Sequence, residues 1–113
     1  AHFCSAPAVP YQDVESVAQA VSWLDENMDG NSCVLVNNVF ALWGQLYLDK
    51  SHVRVQFWND AGLALADALA HGFGSVYFVW WNKDIGWYDV SVPGQFVRLR
   101  DFGRISVYEF TSV

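Results

Sequence analysis

Lysine is nearly missing from this chain. Two Lys and four Arg face 12 Asp and Glu in 113 residues, for a formal net charge of −6 and a pI near 4.6. Nucleic-acid affinity comes chiefly from clustered cations on phosphates, so the shortage argues for no nucleic acid among the partners. Cysteine is equally scarce. Cys4 and Cys33 lie 29 positions apart, without the CxxC spacing of zinc or thioredoxin-like sites. An oxidising compartment would permit a Cys4–Cys33 disulfide, although nothing in the spacing demands it, and Cys33 also reads as a small buried hydrophobe. Long apolar runs are absent: the longest, Val76 to Trp81, falls far short of the roughly 20 residues that span a bilayer. The chain opens without Met, a basic n-region or a signal-peptide core, so Ala1 is expected to be the start of a processed or excised chain.

What is present is bulk. Hydrophobic residues make up 53% and aromatics 17%, with six Trp, enough to build a packed core in one domain covering 1–113. Residues 1–12 are irregular, interrupted by Pro7 and Pro10, and Asp13 is placed as an N-cap. Val14, Val17, Ala18, Val21, Leu24 and Met28 recur at helical spacing, with Gly30 expected to close the helix in a left-handed conformation. Val34, Leu35 and Val36 form a strand buried on both faces, and Val39 to Leu48 suits a short helix or a packed irregular segment. Val53 to Trp58 alternates as a strand, Asp60 caps a helix over Ala61 to Ala70, and Ser75 to Trp81 is a central strand. A loop over 82–94 leads to a hairpin of Phe96 to Arg100 and Ile105 to Phe110, turned at Gly103. Strands separated by helices imply an α/β fold: a small three-layer sandwich of three parallel strands alternating with helices, plus a C-terminal antiparallel hairpin.

Ligands of such sheets bind at the carboxyl ends of the strands, which here carry Asn37, Asn38, Asn59, Asp60, Asn82, Lys83 and Asp84. No GxGxxG or GxxxxGK[ST] lies there, so no cofactor is implied. Asp25 to Gly30 matches half of a calcium loop, but its twelfth position is Val36, inside a strand, and no metal is implied. Asp101, Phe102 and Gly103 spell a kinase magnesium motif without the rest of a kinase. His2, His52 and His71 are scattered, and no nucleophile–base set assembles, so no catalytic residue is assigned. The unusual feature is aromatic. Trp81, Asn82, Asp84, Trp87 and Tyr88 combine flat rings with amide and carboxylate groups, the chemistry of a sugar-stacking or partner-docking surface. The plainer reading buries Trp80 or Trp81 in the core and lets Trp87 and Tyr88 pin a loop over it.

Val17 to Asn27 followed by Cys33 to Val36, then Gly74 to Trp81, Phe96 to Leu99 and Gly103 to Phe110, carry a further signal. Over residues 14–110 this order resembles the extracytoplasmic, C-terminal soluble domains of polytopic membrane glycosyltransferase-like proteins, especially archaeal ones. The resemblance implies a non-catalytic domain on the extracytoplasmic side of the cell membrane, part of a larger membrane protein. Its partners would be the membrane-embedded remainder of its own chain and a glycan or lipid-linked sugar that it helps to position. It also implies that the catalytic residues belong to the membrane part, so none is carried over. Two other readings stand beside it: a stand-alone ligand-binding protein or enzyme using the loops near Asn38, Asn59 and Asn82, and a homo-oligomeric interaction module.

Overall fold

The computed structural model describes residues 11–40, 53–57, 60–82 and 94–111. A 3-10 turn over Tyr11–Asp13 leads into helix α1, Val14–Asn27. Its buried residues Val17, Ala20, Val21 and Leu24 fall at the three- and four-residue spacing that lines one helical face. Strand β1, Ser32–Asn37, follows and is buried at all six positions, as an unbroken apolar run requires when both faces of a sheet are covered. After the 3-10 turn Asn38–Phe40 come β2, Val53–Phe57, and helix α2, Ala61–Ala70. The chain ends in β3, Ser75–Trp81, then β4, Phe96–Phe102, and β5, Ile105–Phe110.

The five strands form one sheet in the order β2-β1-β3-β5-β4. β1 lies parallel to β2 and β3, whereas β3 with β5 and β5 with β4 are antiparallel. This corrects the expected three-layer sandwich of parallel strands alternating with helices. The sheet is mixed, with antiparallel pairing in two of its four neighbour contacts, and the described residues hold only two α-helices. Where a helix was expected over 39–48, Asn38–Phe40 makes a single 3-10 turn, and residues 41–52 lie outside the described ones. The physical reason lies in the hairpin: β5 docks directly on β3 and places two antiparallel strands in the sheet itself.

α1 packs against β3, β4 and β5, and α2 against β1 and β2. Partners across a ladder share a face. The register therefore places Val79, Trp81, Ile105, Val107, Arg100 and Phe102 on the side covered by α1, where Trp23 meets Phe102 with ring centroids 6.3 Å apart. The opposite side carries Phe78, Trp80, Phe96 and Tyr108. Phe78 stacks on Trp80 at 5.8 Å and meets Phe96 at 5.7 Å. Each such ring taken out of water contributes about 1.5–3 kcal/mol, so two aromatic layers hold the sheet from both sides.

Two local expectations change. Helix α1 ends at Asn27, and Met28 is already extended at φ −78°, ψ 144°. Gly30 is not in the left-handed region; Asp29 turns the chain instead, its Oδ1 accepting from the Asn31 N–H at 3.0 Å and the Ser32 hydroxyl at 2.7 Å. The glycines that do need positive φ are Gly72 at 83°, after α2, and Gly103 at 62°, in the β4–β5 turn.

Candidate functional site

Polar side chains converge where β3 ends, because the β4–β5 turn lies against that end. Backbone pairing continues one residue past the strand: the Asn82 N–H donates to the Arg104 carbonyl at 2.8 Å. The Asn82 amide donates to the Gly103 carbonyl at 2.9 Å and to Ser106 Oγ at 3.0 Å. Ser106, fully buried, donates a hydrogen bond from its hydroxyl to Asp101 Oδ1 at 2.5 Å. Across the strand the Tyr108 hydroxyl donates to the Trp81 carbonyl at 3.2 Å.

Asp13 completes the group from the other end of the chain. Its carboxylate is only 2% exposed. Arg104 donates to it twice, Nε to Oδ1 at 3.0 Å and Nη2 to Oδ2 at 2.8 Å, and the Trp81 indole N–H donates to Oδ2 at 2.7 Å. The paired guanidinium bonds hold the carboxyl below its ordinary range, outweighing the opposing effect of burial, and the indole adds to them. The Asp13 carboxylate raises the Arg104 pKa in turn. A carboxyl held in this way stays an anion throughout the neutral range, so it fixes geometry rather than moving protons. Asp13 was expected to cap α1. It sits in the right-handed helical region, makes no side-chain cap bond, and turns toward the hairpin turn 91 residues on.

Of the residues expected to bind, Trp81 is 2% exposed and presents its indole to Asp13 rather than to solvent. Asn82 is committed to the hairpin turn. Asp84, Trp87 and Tyr88 lie outside the described residues, as does Asn59. Strand alternation predicts that Trp80 and Trp81 point to opposite faces, yet their rings meet edge to face at 5.0 Å. β1 has ended at Asn37 by this level, and Phe40 from the following turn packs across the open end against both, at 5.5 and 5.0 Å. Cys33 is a free, fully buried thiol whose pKa burial pushes up to about 11; Cys4, with which a disulfide was one option, lies outside the described residues.

Sequence reasoning missed Asp13, Arg104, Asp101 and Ser106 as a group. The available signal was slight: a lone arginine in a hairpin turn, with no local partner of opposite charge on its own face. Among the described residues no cluster of three His, Cys, Asp or Glu side chains could hold a metal, and no helix is long and apolar enough to cross a membrane. Among the described residues, large apolar side chains reach solvent at Tyr11, at Leu63 and Leu69 on α2, and at Val97 and Leu99 on β4. Compared with family models, curated proteins and solved structures, the chain matches none.

Proposed function

We propose that this chain is a non-catalytic, extracytoplasmic accessory domain of a larger membrane glycosyltransferase-like protein, packing on the membrane part or helping to position its glycan substrate. The observation that carries the reading is how the polar groups at the carboxyl end of β3 are used. In a doubly wound sheet this is where a ligand site is expected, and here the polar groups are taken up in two sets, Asp13 with Arg104 and Trp81, and Asn82 with Ser106 and Asp101, joined through the Asn82 N–H to Arg104 carbonyl bond. A closed network of this kind ties the hairpin to α1. Among the described residues, the exposed apolar side chains on α2 and β4 suit a domain that docks. The order of residues over 14–110, which resembles that of such domains, supports the membrane placement, as does the scarcity of Lys and Arg.

The test is topological. Cells carrying the full-length protein, tagged beside this domain, are fractionated and treated with external protease. The expected result is a tag that sediments with membranes and is cleaved from outside. A tag in the cytosolic fraction, or one protected in intact cells, overturns the reading.

A further inference from the structure

We propose that the open edge of β4 receives an extended acidic segment of another polypeptide as an added strand. β4 ends the sheet order, with β5 on one side and no strand beyond it among the described residues. An edge strand presents backbone N–H and C=O groups to any chain that can lie alongside, and that pairing is indifferent to sequence. Selectivity must come from side chains. On β4, Val97 and Leu99 are 54% and 47% exposed, and Arg98 and Arg100 are exposed beside them. This strand therefore carries exposed apolar residues and two Arg against one Asp, Asp101, on a chain whose formal net charge is −6.

The ladder register shifts between Arg98 and Arg100, leaving Leu99 as a bulge. Arg98 pairs with Tyr108 and Arg100 with Val107, so the two arginines stand on opposite faces of the sheet at almost the same level of the edge. Neighbouring residues of an incoming strand also point to opposite faces. Two consecutive carboxylates would thus meet one arginine each, with an apolar residue beside them toward Val97. Both guanidiniums can respond. Among the described residues Arg98 pairs with Asp101 at 3.5 Å, with both side chains more than half exposed and the pair worth little. Arg100 lies over the rings of Trp23 and Phe102, 5.5 and 5.4 Å from their centroids, which steadies its plane and leaves its in-plane N–H donors available to a carboxylate.

A second copy of this chain would bring the same arginine-bearing edge up to Arg98 and Arg100 and add a second net charge of −6, whereas an acidic strand brings charges of opposite sign to both arginines. The inference concerns β4 alone and does not depend on membrane placement, so a peptide assay in solution can fail while the topology test succeeds, and the reverse.

Two synthetic ten-residue peptides serve as probes on the 113-residue chain: one alternates Val and Thr around a central Glu-Glu pair, the other carries Lys-Lys in its place. The acidic peptide is expected to bind at least about tenfold tighter than the basic one, more weakly at high salt, and to slow amide exchange along β4. R98E should remove that preference, and R98E/R100E should transfer it to the basic peptide. R98E alone keeps the Arg100 ring contacts, so it stays informative if the double variant unfolds. The proposal is overturned if the acidic peptide does not bind, or if R98E leaves its affinity unchanged. It is equally overturned if anionic phospholipid vesicles bind where peptides do not, which would make the edge a membrane contact, or if the chain alone sediments as a dimer with β4 protected.

Discussion

Replacing Arg104 with Ala isolates one buried carboxylate and predicts a stability loss that depends on pH. In the native protein Asp13 is held below its ordinary value of 3.8, chiefly by the hydrogen bonds from Arg104. A lowered folded-state pKa contributes stability at neutral pH that is lost only as pH falls through that value. Without Arg104 the carboxylate keeps the Trp81 N–H but sits 2% exposed with no countercharge. Breaking a buried pair on one side costs about 3–5 kcal/mol. The Arg104 side chain is 37% exposed, so water already screens part of the attraction and the expected loss is about 2–3 kcal/mol. The sign of the pH dependence then reverses. Burial outweighs the remaining Trp81 bond and raises the carboxyl pKa, so the folded state of the variant binds a proton more readily than the unfolded state and its stability recovers as pH falls. Urea unfolding of the wild type, R104A, D13A and the double variant at pH 7.5 and at pH 3.8, the ordinary carboxyl value, measures this. R104A should lose more at pH 7.5 than at the acid pH, and the double variant, with no buried charge to strand, should show no such difference. A loss below about 1 kcal/mol at pH 7.5, the level of an ordinary surface pair, would refute the clamp, and so would a loss equal at both pH values.

Three further outcomes are expected. Gly103→Ala and Gly72→Ala both force Ala to positive φ, at about 1–2 kcal/mol each, but only at Gly103 would the new Cβ lie 2.8 Å from Ser16 Oγ. G103A should therefore lower the thermal midpoint further than G72A, and adding Ser16→Ala should recover the difference. Asp60→Ala removes the carboxylate that accepts from the Leu63 N–H at 3.0 Å and should cost about 1 kcal/mol in urea unfolding, whereas Asp60→Asn should cost less. In a Cys4→Ser background, Cys33 should resist a thiol reagent at pH 8 until the chain unfolds, because burial keeps it protonated up to about 11; rapid labelling of the folded protein would contradict its burial.

Local pattern made the elements legible where one residue's neighbours decide its state. The spacing of Val17, Val21 and Leu24 marks α1, the run from Val76 to Trp81 marks β3, and Gly103 marks the turn. Asp60 reads correctly as a cap because its partner lies three residues away. Asp13 looks the same in sequence, and its partner lies 91 residues away, a fact no local window contains. Gly30 misleads for a related reason: Asp29 and Ser32 settle the turn through side-chain bonds before a left-handed glycine is needed. The sheet order escaped for want of pairing information, since β3 could meet either neighbour until the hairpin is placed beside it. At the candidate site, Trp81 and Asn82 were visible as residue types, but the direction of each was set by a distant partner, Asp13 before α1 for Trp81 and Ser106 on β5 for Asn82.

The bond between Asp13 and Arg104 also orders events during synthesis. Asp13 is made 91 residues before its countercharge exists. β3 likewise has only β1 beside it until β5 arrives. Long-range closures of this kind slow folding, because the loop entropy is lost before the contact forms. A nascent chain that lacks the last hairpin therefore carries an unpaired carboxylate and an unfinished sheet, and it should remain a client for chaperones until residue 104 is out.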